Sequence, residues 1–249
     1  MEWYFIPALI GAGILCGFIN TLAGSGSLIS LPLLMFMGLP ANVANGTNRV
    51  AILFQNIVGV SSFKQQKVFK IKEGIWLAVP AIVGSLVGAV FAVNLTEAIM
   101  TKVIGGLLVF MFFMILFKPD VWIKGQAGIV SSKPTWWQIL IFFGIGVYGG
   151  FIQAGVGFFL LAGLVLGAGF DLVKANAIKL LIVLLYTPFA LAVYIFNDQV
   201  YWTAGLILAI GNMLGAFLAS RFAVSWGAKF VRIVLLVILF GAAIKLLLF

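Results

Sequence analysis

Apolar runs separated by short polar breaks fill this chain from end to end, and the breaks are regular enough to be read as element boundaries. A membrane-crossing helix needs about 20 apolar residues. The first helix is predicted over Tyr4–Leu22 and runs into Asn20 and Thr21. A Gly24-Ser25-Gly26-Ser27 break follows, then a half-length apolar run, Leu28–Met37. Spans are predicted over Val43–Phe63, Gly74–Val93 and Ala98–Phe117, and the polar linker Lys118–Pro134 divides the chain near its middle. The order then repeats: Trp136–Ala154 is helical, Gly155-Val156-Gly157 breaks it, and Phe158–Leu166 is short. Leu172–Phe196, Tyr201–Phe222 and Ala228–Leu248 span.

The halves also match in residues. Gly17-Phe18-Ile19-Asn20 aligns with Gly150-Phe151-Ile152-Gln153, and Ala44-Asn45 with Ala175-Asn176. Gly84 and Gly88 align with Gly211 and Gly215. These last are small-xxx-small pairs, which let helices approach closely within a chain or between chains, so a homo-oligomer stays open. The expected fold is therefore all-α: a polytopic transmembrane bundle of two repeats, each a broken-helix hairpin followed by three spans. Residues 1–117 form the first repeat, 118–134 a cytoplasmic linker and 135–249 the second repeat.

Lys and Arg in loops set the orientation. The loop 64–72 holds Lys64, Lys67, Lys70 and Lys72, the linker holds Lys118, Lys124 and Lys133, and Arg221, Lys229 and Arg232 lie together, so all three stretches are predicted inside. The turn 197–200 holds none and is predicted outside. The corresponding loops 64–72 and 197–200 thus face opposite sides, which is the mark of an inverted repeat. Inversion needs an odd number of crossings per half. Treating the first helix and its short partner as a hairpin with no net crossing supplies it, and puts the N-terminus outside.

Composition agrees. Of 249 residues, 64% are hydrophobic and 8% charged, far from a soluble domain, so the lipid bilayer is the expected solvent and partner in the cell membrane. The net charge of +9 sits mostly in loops beside spans, where it sets topology, and no nucleic-acid partner is expected. The lone Cys16 makes no internal disulfide, and with no His there is no His metal site or relay, so neither metal nor cofactor is expected. No positive leader segment precedes the first span, and no cleaved signal peptide is expected. All six acids fall at predicted span ends or in loops. No hydrolase triad or phosphate loop is present, and Gly146, Gly149 and Gly150 lie inside an apolar span, so they are no dinucleotide fingerprint.

Two cations stand inside spans. Arg49 and Lys179 each lie one to two turns into the third segment of their half. A cation there costs about 2.5–3.5 kcal/mol on insertion scales, so it faces a cavity or partner unless it snorkels to an interface. Each belongs to a polar stripe on one helical face: Asn45, Asn48/Arg49, Ile52, Gln55/Asn56 in one half, and Asn176, Lys179, Val183, Tyr186/Thr187 in the other. The breaks offer the second half of a site. The N–H groups at Ser25-Gly26-Ser27 and at Val156-Gly157-Phe158 begin half-helices, whose N-termini suit anions. Asn20 and Gln153 are candidate side-chain donors beside them. The competing reading is that the glycines serve close packing alone.

The pairing of GFINTLAGSGSLISLP and GLPANVANGTNR with GGFIQAGVGFF in the second half resembles the sulfite exporter TauE/SafE family of membrane permeases. Members commonly carry three glycines after the first helix, where this chain has Gly24-Ser25-Gly26-Ser27. The resemblance implies transport of small sulfur-containing anions such as sulfite, sulfoacetate or related sulfonates. The expected function is alternating-access transport at a central site, with Arg49 and Lys179 neutralising the anion. Asn45, Asn48, Asn176, Asn20 and Gln153 would donate hydrogen bonds beside Ser25, Gly26, Ser27 and Gly157. An anion channel and an assembly factor without transport are the alternatives; a membrane enzyme is disfavoured by the lack of intramembrane His and paired acids. An inside-negative potential drives an anion outward by about 2.3 kcal/mol per charge per 100 mV, so export is the default direction. Coupling to protons, through the substrate, Lys179 or Asp171 near Lys174, and coupling to sodium held by freed carbonyls both stay open.

Overall fold

The computed structural model describes residues 5–104, 106 and 134–248, and these are helical with no strand among them. The helices are α1 (Phe5–Ala23), α2 (Ser27–Phe36), α3 (Ala41–Gln65), α4 (Lys72–Val93), α5 (Trp136–Phe151), α6 (Val156–Ala162), α7 (Leu172–Phe196) and α8 (Trp202–Leu248). A further helical stretch covers 97–104. Most of the predicted span Ala98–Phe117, and nearly all of the linker 118–134, lie outside the described residues.

The bundle is apolar outside and carries a buried polar cluster inside a largely apolar core. Phe91, Trp76 and Trp226 are 64%, 60% and 62% exposed, whereas Arg49, Asn45, Asn48, Gln55 and Asn56 are fully buried. Water would reverse that arrangement; hydrocarbon favours it. Phe5–Ala23, Gly74–Val93, Leu172–Phe196 and Trp202–Trp226 are long and apolar enough to cross a membrane. Helix α3 is as long as α7, at 25 residues, but its inner face carries the polar stripe.

Packing is crossed between the halves. Helix α1 lies along α8, and α4 along α5; α3 packs on α8 and α4 on α7; α3 and α7 meet in the middle. The small-residue pairs make these close approaches possible, all within one chain. A Cβ on Gly211 would come 2.8 Å from the Gly13 Cα, and one on Gly17 would strike the Asn212 backbone. On the other side, a Cβ on Gly84 would come 2.8 Å from the Val147 nitrogen, and one on Gly150 would meet the Ser85 backbone.

Three boundaries differ from expectation. Helix α5 ends at Phe151 and not at Ala154: Ile152 is extended, at φ −138° and ψ 128°, so Gln153 lies in the break while its counterpart Asn20 lies in a helix. The helix stops early because three of its last carbonyls find partners from the other half, as described below. The predicted short helix Phe158–Leu166 is instead α6 followed by a π-helical turn, Gly163–Gly167, whose wider winding two flanking glycines permit. The predicted turn between Phe222 and Ala228 is absent: α8 is one helix of 47 residues. Ala223-Val224-Ser225-Trp226-Gly227 contains no proline and one glycine, too weak a signal to end a helix. The last predicted span is thus part of the same helix as the one before it.

Candidate functional site

The two broken helices meet. Between α1 and α2, Gly24 adopts φ +78°, and between α5 and α6, Gly155 adopts +73°. Both values lie in the left-handed region that side chains disfavour. The Gly157 N–H donates to the Gly24 carbonyl at 3.2 Å, and a Cβ on Gly157 would collide with the Gly24 Cα. The bends of the two halves therefore touch backbone to backbone. One consequence corrects the sequence reading: the Gly157 N–H is taken by Gly24, and is not turned toward an open site.

Arg49, from α3, closes the end of α5 in the opposite half. Nη1 donates to the Gly149 carbonyl at 2.9 Å and to Gln153 Oε1 at 3.3 Å. Nη2 donates to the Gly150 carbonyl at 2.6 Å and to the Tyr194 hydroxyl at 3.4 Å. The guanidinium lies 4.6 Å from the Tyr194 ring centroid, in reach of a cation–π contact. Asn45 completes the cap, its Nδ2 donating to the Phe151 carbonyl and to the Tyr194 hydroxyl, each at 2.8 Å. The Ala154 carbonyl accepts from the Tyr148 hydroxyl at 2.6 Å. A helix C-terminus carries about half a negative charge and leaves carbonyls unpaired, so a buried guanidinium there answers both needs.

Lys179, from α7, does the same for α1. Its Nζ donates to the Asn20 carbonyl at 3.0 Å, the Thr21 carbonyl at 2.9 Å and Asn176 Oδ1 at 2.7 Å. An ammonium has three N–H donors, and all three are used. Neither cation faces a carboxylate among the described residues: their partners are carbonyls, amides and a phenol. Arg49 and Lys179 are also the two charged side chains found buried there.

The remaining predicted residues fall into place around these caps. Asn48 ties α3 to the first half-helix, donating from Nδ2 to Ser27 Oγ at 3.1 Å and accepting from Ser30 Oγ at 2.7 Å. Asn20 Nδ2 donates to Gln55 Oε1 at 3.1 Å, and Asn212 Nδ2 donates to the same oxygen at 3.3 Å. In the other half, Gln153 Nε2 donates to the Tyr186 hydroxyl at 3.0 Å. Gly26 packs its backbone against the Cys16 carbonyl. Several buried polar atoms have no partner, among them Arg49 Nε, Gln55 Nε2, Asn176 Nδ2, Ser25 Oγ and Thr21 Oγ1. The polar stripe read from the sequence takes in Gln55 but neither Tyr194 nor Asn212. Tyr194 lies 15 residues past Lys179, close to four turns and so on the same face, which is the signal that would have found it.

A bundle with an apolar outside and a polar, doubly charged interior built on broken helices is the construction of a polytopic membrane transporter. The chain belongs to the sulfite exporter TauE/SafE family, whose pattern it matches over residues 9–246. It is 28% identical over 247 residues to the "Probable membrane transporter protein ORF9" of Sinorhizobium sp, covering 99% of this chain and 94% of that one. It is also 28% identical to the "Probable membrane transporter protein YfcA" of Escherichia coli (strain K12), over 97% of this chain and 90% of the relative. A "Probable membrane transporter protein" of Haemophilus influenzae is 23% identical over 241 residues. These relatives are membrane transporters and not enzymes. No solved structure matches the chain.

Proposed function

We propose that this protein carries a small sulfur-containing oxyanion, sulfite, sulfoacetate or a related sulfonate, out of the cell by alternating access between two inverted repeats, with its N-terminus outside. The observation that carries the reading is the sign of the interior: among the described residues the two buried charges are both positive, and no buried carboxylate balances them. An anion is the complement such a site lacks. The unpartnered donors agree, since Arg49 Nε, Gln55 Nε2, Asn176 Nδ2 and the Ser25 hydroxyl are groups an oxyanion would accept from. Arg49 makes the direct contact. Lys179, with its three protons committed, contributes its charge and holds Asn176 in place. Asn45, Asn48, Asn20 and Gln153 brace the cage, Ser27 with Gly26 forms the N-terminal turn of the half-helix beside it, and Gly157 lets the second bend approach.

Reconstitution into proteoliposomes with sulfite, thiosulfate, sulfoacetate, sulfate and acetate tests this. Saturable flux and counterflow of the sulfur anions, with little for acetate, are expected. Flux without counterflow, far above carrier rates, would mark a channel instead, and no flux of any anion would end the proposal.

The inverted arrangement is supported by the crossed packing of α1 on α8 and α4 on α5, and by the reciprocal caps. With Cys16 replaced by Ser, Val68→Cys and Asp198→Cys should label with an impermeant thiol reagent from opposite sides. Labelling from one side would overturn the inverted topology.

A further inference from the structure

We infer that the end of α1 is a monovalent-cation site which this chain fills with its own Lys179 ammonium. Three oxygens converge on Nζ at 2.7–3.0 Å: the carbonyls of Asn20 and Thr21 and the side-chain oxygen of Asn176. All are neutral, and all belong to buried residues: Asn176 and Thr21 have no exposed surface and Lys179 has 1%. The Asn20 carbonyl also accepts from the Gly24 N–H at 2.9 Å, so it shares its lone pairs between the helix ladder and Nζ. Carbonyls at the end of an interrupted membrane helix, joined here by a side-chain oxygen, are the kind of ligand that sodium takes in transporters built on broken helices. A fourth oxygen stands on the same backbone: Thr21 Oγ1 is buried and has no hydrogen-bond partner. A neutral oxygen cradle at the negative end of a helix is costly to bury unpaired, and a cation there satisfies the oxygens and the helix end together. Lys179 delivers one on a tether from the opposite half. The oxygens of the bend are therefore satisfied with no bound ion, and the first half is fastened to α7 by the ammonium itself.

The Arg49 cap does not share this property. Its guanidinium is planar and spreads its donors over two helix-end carbonyls, Gln153 and Tyr194, so no single point collects the oxygens as Nζ does.

Removing the tethered ammonium should leave an empty oxygen cradle that sodium can enter. The test is thermal unfolding of the purified full chain in detergent at fixed ionic strength, with Na+ replacing choline; no anion substrate is involved, so the outcome is independent of the transport reading. Wild type should unfold at the same temperature in both salts. Lys179→Ala should be less stable in choline and recover with Na+, by on the order of 3 °C or more between 1 and 100 mM. Lys179→Met, whose side chain fills the space without a charge, should show no Na+ response, and adding Thr21→Val to Lys179→Ala should weaken it. A Lys179→Ala protein that ignores Na+, or that cannot be obtained folded even in 150 mM Na+, overturns the inference. So does an equal Na+ response in Lys179→Ala and Lys179→Met, which would be a general salt effect.

Discussion

Arg49 and Lys179 hold near-equivalent places in the two halves, and each closes a broken helix of the opposite half, but they keep different reserves. Lys179 spends its three N–H groups on two carbonyls and an amide oxygen. Arg49 spends Nη1 and Nη2 on carbonyls, Gln153 and Tyr194, and keeps Nε unpartnered. The two reciprocal caps therefore carry different chemistry. One end is a saturated point charge that fastens and neutralises. The other is a planar fork that caps a helix and still has a donor left over. The surroundings differ in the same sense: Asn20, Gln55 and Asn212 form an all-amide cluster beside α1, while Gln153 and Tyr186 stand beside α5.

The comparison predicts where substitution hurts most. Arg49→Ala removes the helix cap and, with it, the anion contact proposed for Arg49. Breaking a buried charged interaction costs about 3–5 kcal/mol, and each 1.4 kcal/mol is tenfold, so anion flux should fall by about 100-fold or more. Arg49→Lys should not restore it, because an ammonium cannot reproduce the fork. Flux in Arg49→Lys equal to wild type would remove the distinction between the two ends.

The meeting of the bends ranks next. Gly24→Ala combines a left-handed backbone with a Cβ driven into Gly157, whereas Gly38, at φ +86°, has open space where its Cβ would go. Gly38→Ala bears the backbone strain alone, about 1–2 kcal/mol. Gly24→Ala should fall well below it in both melting temperature and flux; equal behaviour of the two would mean that the bends do not need to touch. The smallest effect is expected at Tyr186→Phe, which removes a hydroxyl that accepts from Gln153 Nε2 at 3.0 Å and donates to its Oε1 at 3.3 Å, a loss of about 1 kcal/mol, or roughly fivefold in anion affinity. A loss as large as that of Arg49→Ala would shift the centre of the site toward α7.

Much of this frame could be read in the residues. The breaks at Gly24 and Gly155, the buried cations and the alignment of Asn20 with Gln153 all follow from polarity placed where lipid forbids it. What the cations face did not follow. Every broken helix offers an anion site at one end and a cation site at the other, and polarity along a chain marks the break without saying which end lies within reach of a charge. Lys179 and Arg49 serve carbonyl ends, so the proposal of a direct anion contact rests on the one donor that Arg49 keeps unpartnered. Tyr194 was hidden for a related reason, since an aromatic near a span end reads as an interfacial anchor. Helix α8 ran past its expected turn because Gly227 alone cannot stop a helix. The glycine pairs were visible, but their partners, Gly13 with Gly211 and Gly146 with Ala81, depend on the crossing of the halves.

Equilibrium binding of sulfite and sulfoacetate to the purified protein, measured by calorimetry for wild type and Arg49→Ala, goes most directly to the claim that this positive interior holds an anion. Saturable binding of one or both to wild type, lost in a folded Arg49→Ala protein and displaced little by acetate, is the predicted result. Wild-type affinity retained in Arg49→Ala would contradict it.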